Sequence, residues 1–243
     1  VLDNTLTTPA LVKPIDYGCD VVVYSSTKYL DGHATAMGGL VVDSGKFDWT
    51  KGDYPQLTQP DESYHGLVFT ENFGEAAYAA RIRTVCLRDL GNIAAPFNAF
   101  LTLRGIETLA LRLERHSENA FKVAKFLQDH DKVEFVNYPF LESNQDYDLA
   151  KKYLKAGSGV ISFGVKGTRE DAAKFIEALE LVSLVVNVAD VRSYALHPAS
   201  STHRQLSDEE LEESGITPNL IRLSVGIENV DDIIADIDQA LKA

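Results

Sequence analysis

The chain has 243 residues, 45% of them hydrophobic and 24% charged, which suits one large globular domain or two ordinary ones. A formal charge of -13, from 36 acidic against 23 basic residues, argues against a nucleic-acid binder and against docking on an anionic membrane surface. No uncharged apolar run approaches the roughly 18 residues of a membrane span. The opening, VLDNTLTTPA, has neither the basic start nor the apolar segment of a signal peptide.

In chain order, the first residues read as a strand end with no initiator Met, so the sequence is expected to belong to a longer product. GCDVVVYSS reads as a short, buried, parallel-type strand, and GGLVVDS (38–44) as a second. Gly45 to Gly66 holds Trp49, Pro55 and Pro60 and is long for a structureless loop, which points to function or an interface. A helix is expected from about Asn72 to Leu87. Ile106 to His130 reads as one long amphipathic helix, because Leu109, Leu113, Ala120, Val123, Ala124 and Leu127 recur at three- and four-residue spacing.

The second half is α+β in pattern. KVEFVNY, stopped by Pro139, and GVISFGVKG read as strands. Thr168 with Asp171 forms a capping box that opens a helix to about Leu181, and Ser207 with Glu210 opens a small one. LIRLSVGIE is a strand, and Asn229 with Asp232 starts the last helix. The change of pattern puts a domain boundary near residues 96–105. Cys19 and Cys86 form no CxxC pair and are expected as buried or neutral thiols in a reducing cytoplasm. No His/Cys/Glu cluster has metal-ligand spacing, so no metal is expected. His33, His197 and His203 read as turn or packing residues, and Ser200, Ser201 and Thr202 as turn hydrogen-bonders.

The chemical question sits in VVVYSSTKYLDGH, residues 21–33. By position alone Lys28 is a solvated charge. Yet the strand before it is apolar enough to be central, and open α/β sheets bind ligands at the carboxyl ends of their strands. Ser25 and Thr27 can donate hydrogen bonds to a phosphate while Lys28 faces elsewhere, and no glycine-rich nucleotide loop surrounds them. A lysine beside phosphate-binding hydroxyls suggests a Schiff base with a phosphorylated aldehyde, for which pyridoxal 5'-phosphate is the candidate. That cofactor needs a carboxylate at its ring nitrogen. Asp3 ends a strand about 25 residues earlier, the length of one crossover between parallel strands. Taken alone it would be a turn or cap residue.

LDNT, GCDVVVYSSTKYLDGH and GGLVV, followed by LRGIETLALRLERHSENA, HPASSTH and IRLSVGIEN, closely resemble the pyridoxal-phosphate enzymes of cysteine and methionine metabolism, the trans-sulfuration family. The resemblance covers essentially the whole chain. It implies an α/β fold of fold-type I, like aspartate aminotransferase. Residues 1–100 would be the C-terminal part of the large cofactor domain and residues 101–243 an α+β small domain. By matching positions it implies Lys28 as the cofactor-bearing lysine, Asp3 at the pyridine nitrogen, and Ser25 and Thr27 at the phosphate. It also implies Arg222 on the substrate α-carboxylate and Ser193 lining the site near Lys28. An arginine fork suits a carboxylate bidentately where a lysine does not.

GKFDWTKGDYPQLTQPDESYHGL, RTVCLRDLGNIAAPFNAFLTLRGIETL and NVADVRSYALHPASSTH look closer to the branch that replaces the γ-substituent of O-acetylhomoserine with sulfide or a thiol. Tyr194 and Leu196 depart from the commonest residues of that branch, which bears on the choice of thiol. A γ-lyase or a cystathionine γ-synthase of the same family stays open. So does a noncatalytic fragment that needs its N-terminal half, and so does a cofactor-free Schiff-base aldolase. The resemblance further implies a cytoplasmic homotetramer, with the N-terminal half, as a separate or cleaved chain, its partner.

Overall fold

Val21, Val22 and Tyr24 are β-branched or aromatic and lose nearly all contact with solvent, so their backbone groups must be paired within the protein. The computed structural model describes residues 1–243 and pairs them in a three-stranded sheet. Strand β1 (Leu2–Asp3) runs parallel to β2 (Val21–Ser25), joined by a crossover through the short helix α1 (Thr8–Leu11) and a 3-10 turn at Pro14–Tyr17. Strand β3 (Gly39–Asp43) pairs with the other edge of β2. It was expected as a second buried, parallel-type strand; it is antiparallel instead. The linker 26–38 holds only turns, whereas a parallel return requires a crossover, usually a helix, along the whole strand. Nor is it buried: Leu40 and Val42 on one face are 47% and 38% exposed, and Val41 on the other is 49% exposed.

Residues 45–90 are a set of short turns and helices: α2 (Pro55–Thr58), α3 (Phe69–Phe73), α4 (Ala77–Arg81) and α5 (Arg88–Leu90). The helix expected over 72–87 is interrupted at Gly74, which sits at positive φ, and widens to a π-helical turn over Ile82–Leu87. Trp49 stacks on Tyr78 with ring centroids 5.0 Å apart, which holds the long 45–66 stretch against α4.

The long helix expected from Ile106 is two helices, α6 (Pro96–Glu107) and α7 (Leu109–Gln128), so residues 96–105 are helical too. The break has a tertiary cause. Gly105 lies so close to the Leu30 and Asp31 carbonyls that a Cβ would sit 2.5 and 2.3 Å from them. Its own carbonyl is taken by Arg112 Nη2 at 2.7 Å and by the Thr108 N–H at 3.3 Å, so the chain turns there before α7 begins.

From there the chain builds a five-stranded sheet ordered β4-β5-β8-β7-β6. The elements are β4 (Val133–Asn137), α8 (Tyr147–Tyr153), β5 (Val160–Val165), α9 (Arg169–Ala178), β6 (Ser183–Leu184), β7 (Tyr194–Leu196), α10 (Asp208–Glu213), β8 (Leu220–Ser224) and α11 (Val230–Leu241). All pairings are antiparallel except β6 with β7. Val123 and Leu127 of α7, Phe175 of α9 and Ile233 and Ile237 of α11 pack on Ile161, Phe163, Ile221 and Leu223 of the sheet. Each such side chain contributes roughly 1.5–3 kcal/mol by leaving water. Both capping boxes form as expected, though α9 stops at Ala178 and Asn229 caps the Asp231 N–H rather than that of Asp232. No helix is long and apolar enough to cross a membrane.

Candidate active site

Lys28 follows β2 in a tight turn in which the Gly32 N–H donates to the Lys28 carbonyl at 2.7 Å. The Asp31 carboxylate holds the turn by accepting from the Thr35 N–H and hydroxyl, at 2.9 and 3.0 Å, while the His33 ring bonds the Asp31 carbonyl. With its backbone fixed this way, Lys28 projects beyond the end of β2, and its Nζ donates to Asn187 Oδ1 at 2.7 Å. Burial lowers the pKa of the amine from its ordinary value, and the nearby positive charge of Arg222 lowers it further.

Asp3 and Ser25 stand at the carboxyl ends of the parallel strands β1 and β2, with Thr27 two residues on. Thr5 bridges the two strands: its hydroxyl accepts the Ser25 N–H at 2.8 Å, and its own N–H donates to Asp3 Oδ1 at 2.9 Å. The Thr27 hydroxyl accepts the Gly38 N–H at 3.2 Å. A carboxylate, two hydroxyls and an amine of lowered basicity therefore gather at one strand edge, a donor set that fits a phosphorylated pyridine aldehyde.

Arg222 lies in β8, in the other sheet, half-buried, and its Nη2 donates to the Val186 carbonyl at 2.5 Å. Burial lowers its pKa as well, and no carboxylate of this chain lies within ion-pair distance of it. A desolvated guanidinium without an anion is costly to keep unless the site is built to receive one.

Ser193 does not join this group. It is fully buried, its hydroxyl donates to Glu228 Oε2 at 3.0 Å and accepts the Gly226 N–H at 2.8 Å, and it makes no hydrogen bond to Lys28. The side chain that meets Lys28 is Asn187, six positions earlier in the same quoted stretch. Its one sequence signal is being the first polar side chain after the apolar run LVSLVV. His197, expected as structural, donates from Nε2 to the Pro218 carbonyl at 2.7 Å and accepts the Ser200 hydroxyl at 2.9 Å.

Behind the site, His116 of α7 is fully buried, with Nδ1–H donating to the Val225 carbonyl at 2.7 Å and Nε2 unpaired. Burial brings its pKa down from 6.5 to about 4. The unfolded chain binds the proton more readily, so this histidine's contribution is complete above about pH 6.5 and is lost as pH falls toward 4. The full loss is about 3 kcal/mol. The complete protein should therefore unfold at a lower temperature at pH 5 than at pH 7.5, and His116→Phe should narrow the difference. An equal pH dependence in the variant would contradict this.

The sequence model of the Cys/Met metabolism PLP-dependent enzymes matches residues 1–242. The chain is 50% identical over 252 residues to an O-acetyl-L-homoserine sulfhydrylase of Leptospira meyeri, covering all of this chain and 57% of that protein. It is 53% identical over 235 residues to a homocysteine synthase of Schizosaccharomyces pombe, covering 96% of this chain and 55% of that one. A crystal structure from Campylobacter jejuni, described as an O-acetylhomoserine (thiol)-lyase with a pyridoxyl-lysine phosphate, superposes with a TM-score of 0.93 at 44% identity. The superposition covers all of this chain and 58% of that one. The chain thus spans a little over half the length of the relatives it matches.

Proposed function

As this chain belongs to the family of Cys/Met metabolism PLP-dependent enzymes and has their α/β fold, we propose that the complete protein replaces the γ-acetoxy group of O-acetyl-L-homoserine. With sulfide the products are homocysteine and acetate; with methanethiol, methionine and acetate. The observation that carries this reading is the unpaired, half-buried guanidinium of Arg222 held near the amine of Lys28. Together they suit a substrate with an α-carboxylate beside a carbon that must lose a proton.

Pyridoxal 5'-phosphate, when bound, supplies an electron sink for that carbanion. This chain's residues do the rest. Asp3 would hold a proton on the ring nitrogen, and Ser25 and Thr27 would donate to the phosphate. Arg222 offers two parallel N–H donors to the carboxylate and so turns the α-hydrogen toward Lys28. Lys28 acts as the base. Burial and the Arg222 charge favour its neutral form, and Asn187 Oδ1 accepts from the nitrogen and fixes the direction in which the lone pair points.

Residues 1–100, with the three-stranded sheet, are assigned to the C-terminal part of the cofactor domain, and residues 101–243, with the five-stranded sheet, to the small domain. The N-terminal half of the same enzyme, a cytoplasmic location and a homotetramer complete the proposal. The exposed apolar side chains on both faces of β3 support a covering partner there. The test is to supply the complete enzyme with O-acetyl-L-homoserine and sulfide and to measure homocysteine and acetate. A higher kcat/KM for ammonia and an α-keto acid from methionine or cystathionine would replace this reading with that of a γ-lyase.

A further inference from the structure

The two side chains of the proposed chemistry come from the turn after β2 and from strand β8, and a closed circuit of hydrogen bonds ties them together. On one side Lys28 Nζ donates to Asn187 at 2.7 Å, and the carbonyl of the preceding residue, Val186, accepts from Arg222 at 2.5 Å. On the other, Arg222 continues along β8 to Val225, whose N–H donates to the Gly159 carbonyl at 2.8 Å. The Gly159 N–H then donates to the hydroxyl of Tyr29 at 2.9 Å, and Tyr29 is the residue after Lys28.

This second arm is built with little slack. Tyr29 is completely buried, with its ring edge-on to His116 at 4.9 Å, and His116 is itself bonded to Val225. A Cβ on Gly159 would lie 2.5 Å from the Tyr29 hydroxyl and 2.8 Å from the Val225 carbonyl, so the phenol and β8 meet across a gap that only glycine leaves open.

We infer that Tyr29 and Gly159 are a positioning pair: their hydrogen bond sets the separation of Lys28 from Arg222, and hence how an amino-acid substrate spans the two. The inference rests on the proposed roles of Lys28 and Arg222. Tyr29 touches neither substrate nor cofactor in this account and acts through its neighbour. Removing the hydroxyl leaves each end of the site intact and loosens only their spacing.

The test uses the complete holoenzyme with whichever amino acid the wild type turns over: O-acetyl-L-homoserine if the proposed reaction holds, methionine or cystathionine if it does not. Tyr29→Phe keeps the ring against His116 and is expected to raise KM about tenfold, the worth of one buried hydrogen bond, with kcat within about threefold. The Ki of the same molecule lacking its α-amino group, which needs Arg222 but not Lys28, should stay within about twofold. Gly159→Ala, which crowds the hydroxyl from the other side, should give the same split, and either variant that folds suffices. An unchanged KM, or a KM and Ki that rise together, would overturn the inference. The identity of the wild-type substrate tests the reaction separately.

Discussion

In the complete enzyme, Lys28→Ala is expected to lose turnover by about 10³-fold or more, together with the visible absorbance of a lysine-bound cofactor. The size of the effect follows from the two duties placed on one nitrogen, anchoring the cofactor and taking the Cα proton. No other lysine can take over. Burial and a neighbouring guanidinium lower the basicity of Lys28, and the turn from Lys28 to Thr35 leaves no room to shift the register. Lys28→Arg should be no better, since its guanidinium stays protonated and cannot serve as the base. Turnover within tenfold of wild type in either variant would contradict the assignment.

Arg222→Ala should raise KM for the amino-acid substrate at least about 30-fold, the lower end of what truncating one partner of a buried, hydrogen-bonded charge pair costs. A second, independent signature is expected in the pH profile. Arg222's charge lowers the pKa of Lys28, so its removal moves that pKa up. Because Lys28, once the substrate has displaced it from the cofactor, must be neutral to act, the acidic limb of kcat should shift to higher pH. Arg222→Lys should keep the limb near its original position while recovering only part of the KM, since an ammonium retains the charge but not the planar fork. Unchanged KM and an unchanged limb in Arg222→Ala would remove the arginine from the site.

How far these residues could be read from sequence depends on how local their signals are. The placement of Lys28, Ser25 and Thr27 at the end of a buried strand was legible because the strand, its end and the hydroxyls beyond it occupy one short stretch. Asp3 was legible because β1 and β2 are one crossover apart and parallel. Asn187 was not. It meets Lys28 across 159 positions, a distance closed only when the two sheets pack, and no periodicity within either segment encodes it. Ser193 shows the converse. A serine in the right stretch carries no mark of which way it faces, and here it faces Glu228 and Gly226.

The same contrast holds for the fold. The apolar spacing of α7 and the capping boxes of α9 and α10 are local and formed as read. The break between α6 and α7 depends on Gly105 pressing against the carbonyls of Leu30 and Asp31, far away in sequence. The direction of β3 depends on what its linker can span, and its Val-rich composition gave only its strand character.

Lys28 is proposed as the amine that bears the cofactor, in a site whose other end is Arg222. Borohydride reduction of the complete enzyme as isolated, followed by proteolysis and mass mapping of the pyridoxyl group, tests it most directly. A single labelled peptide spanning Tyr24 to Tyr29, modified at Lys28, is expected. A pyridoxyl group on any other lysine would contradict it.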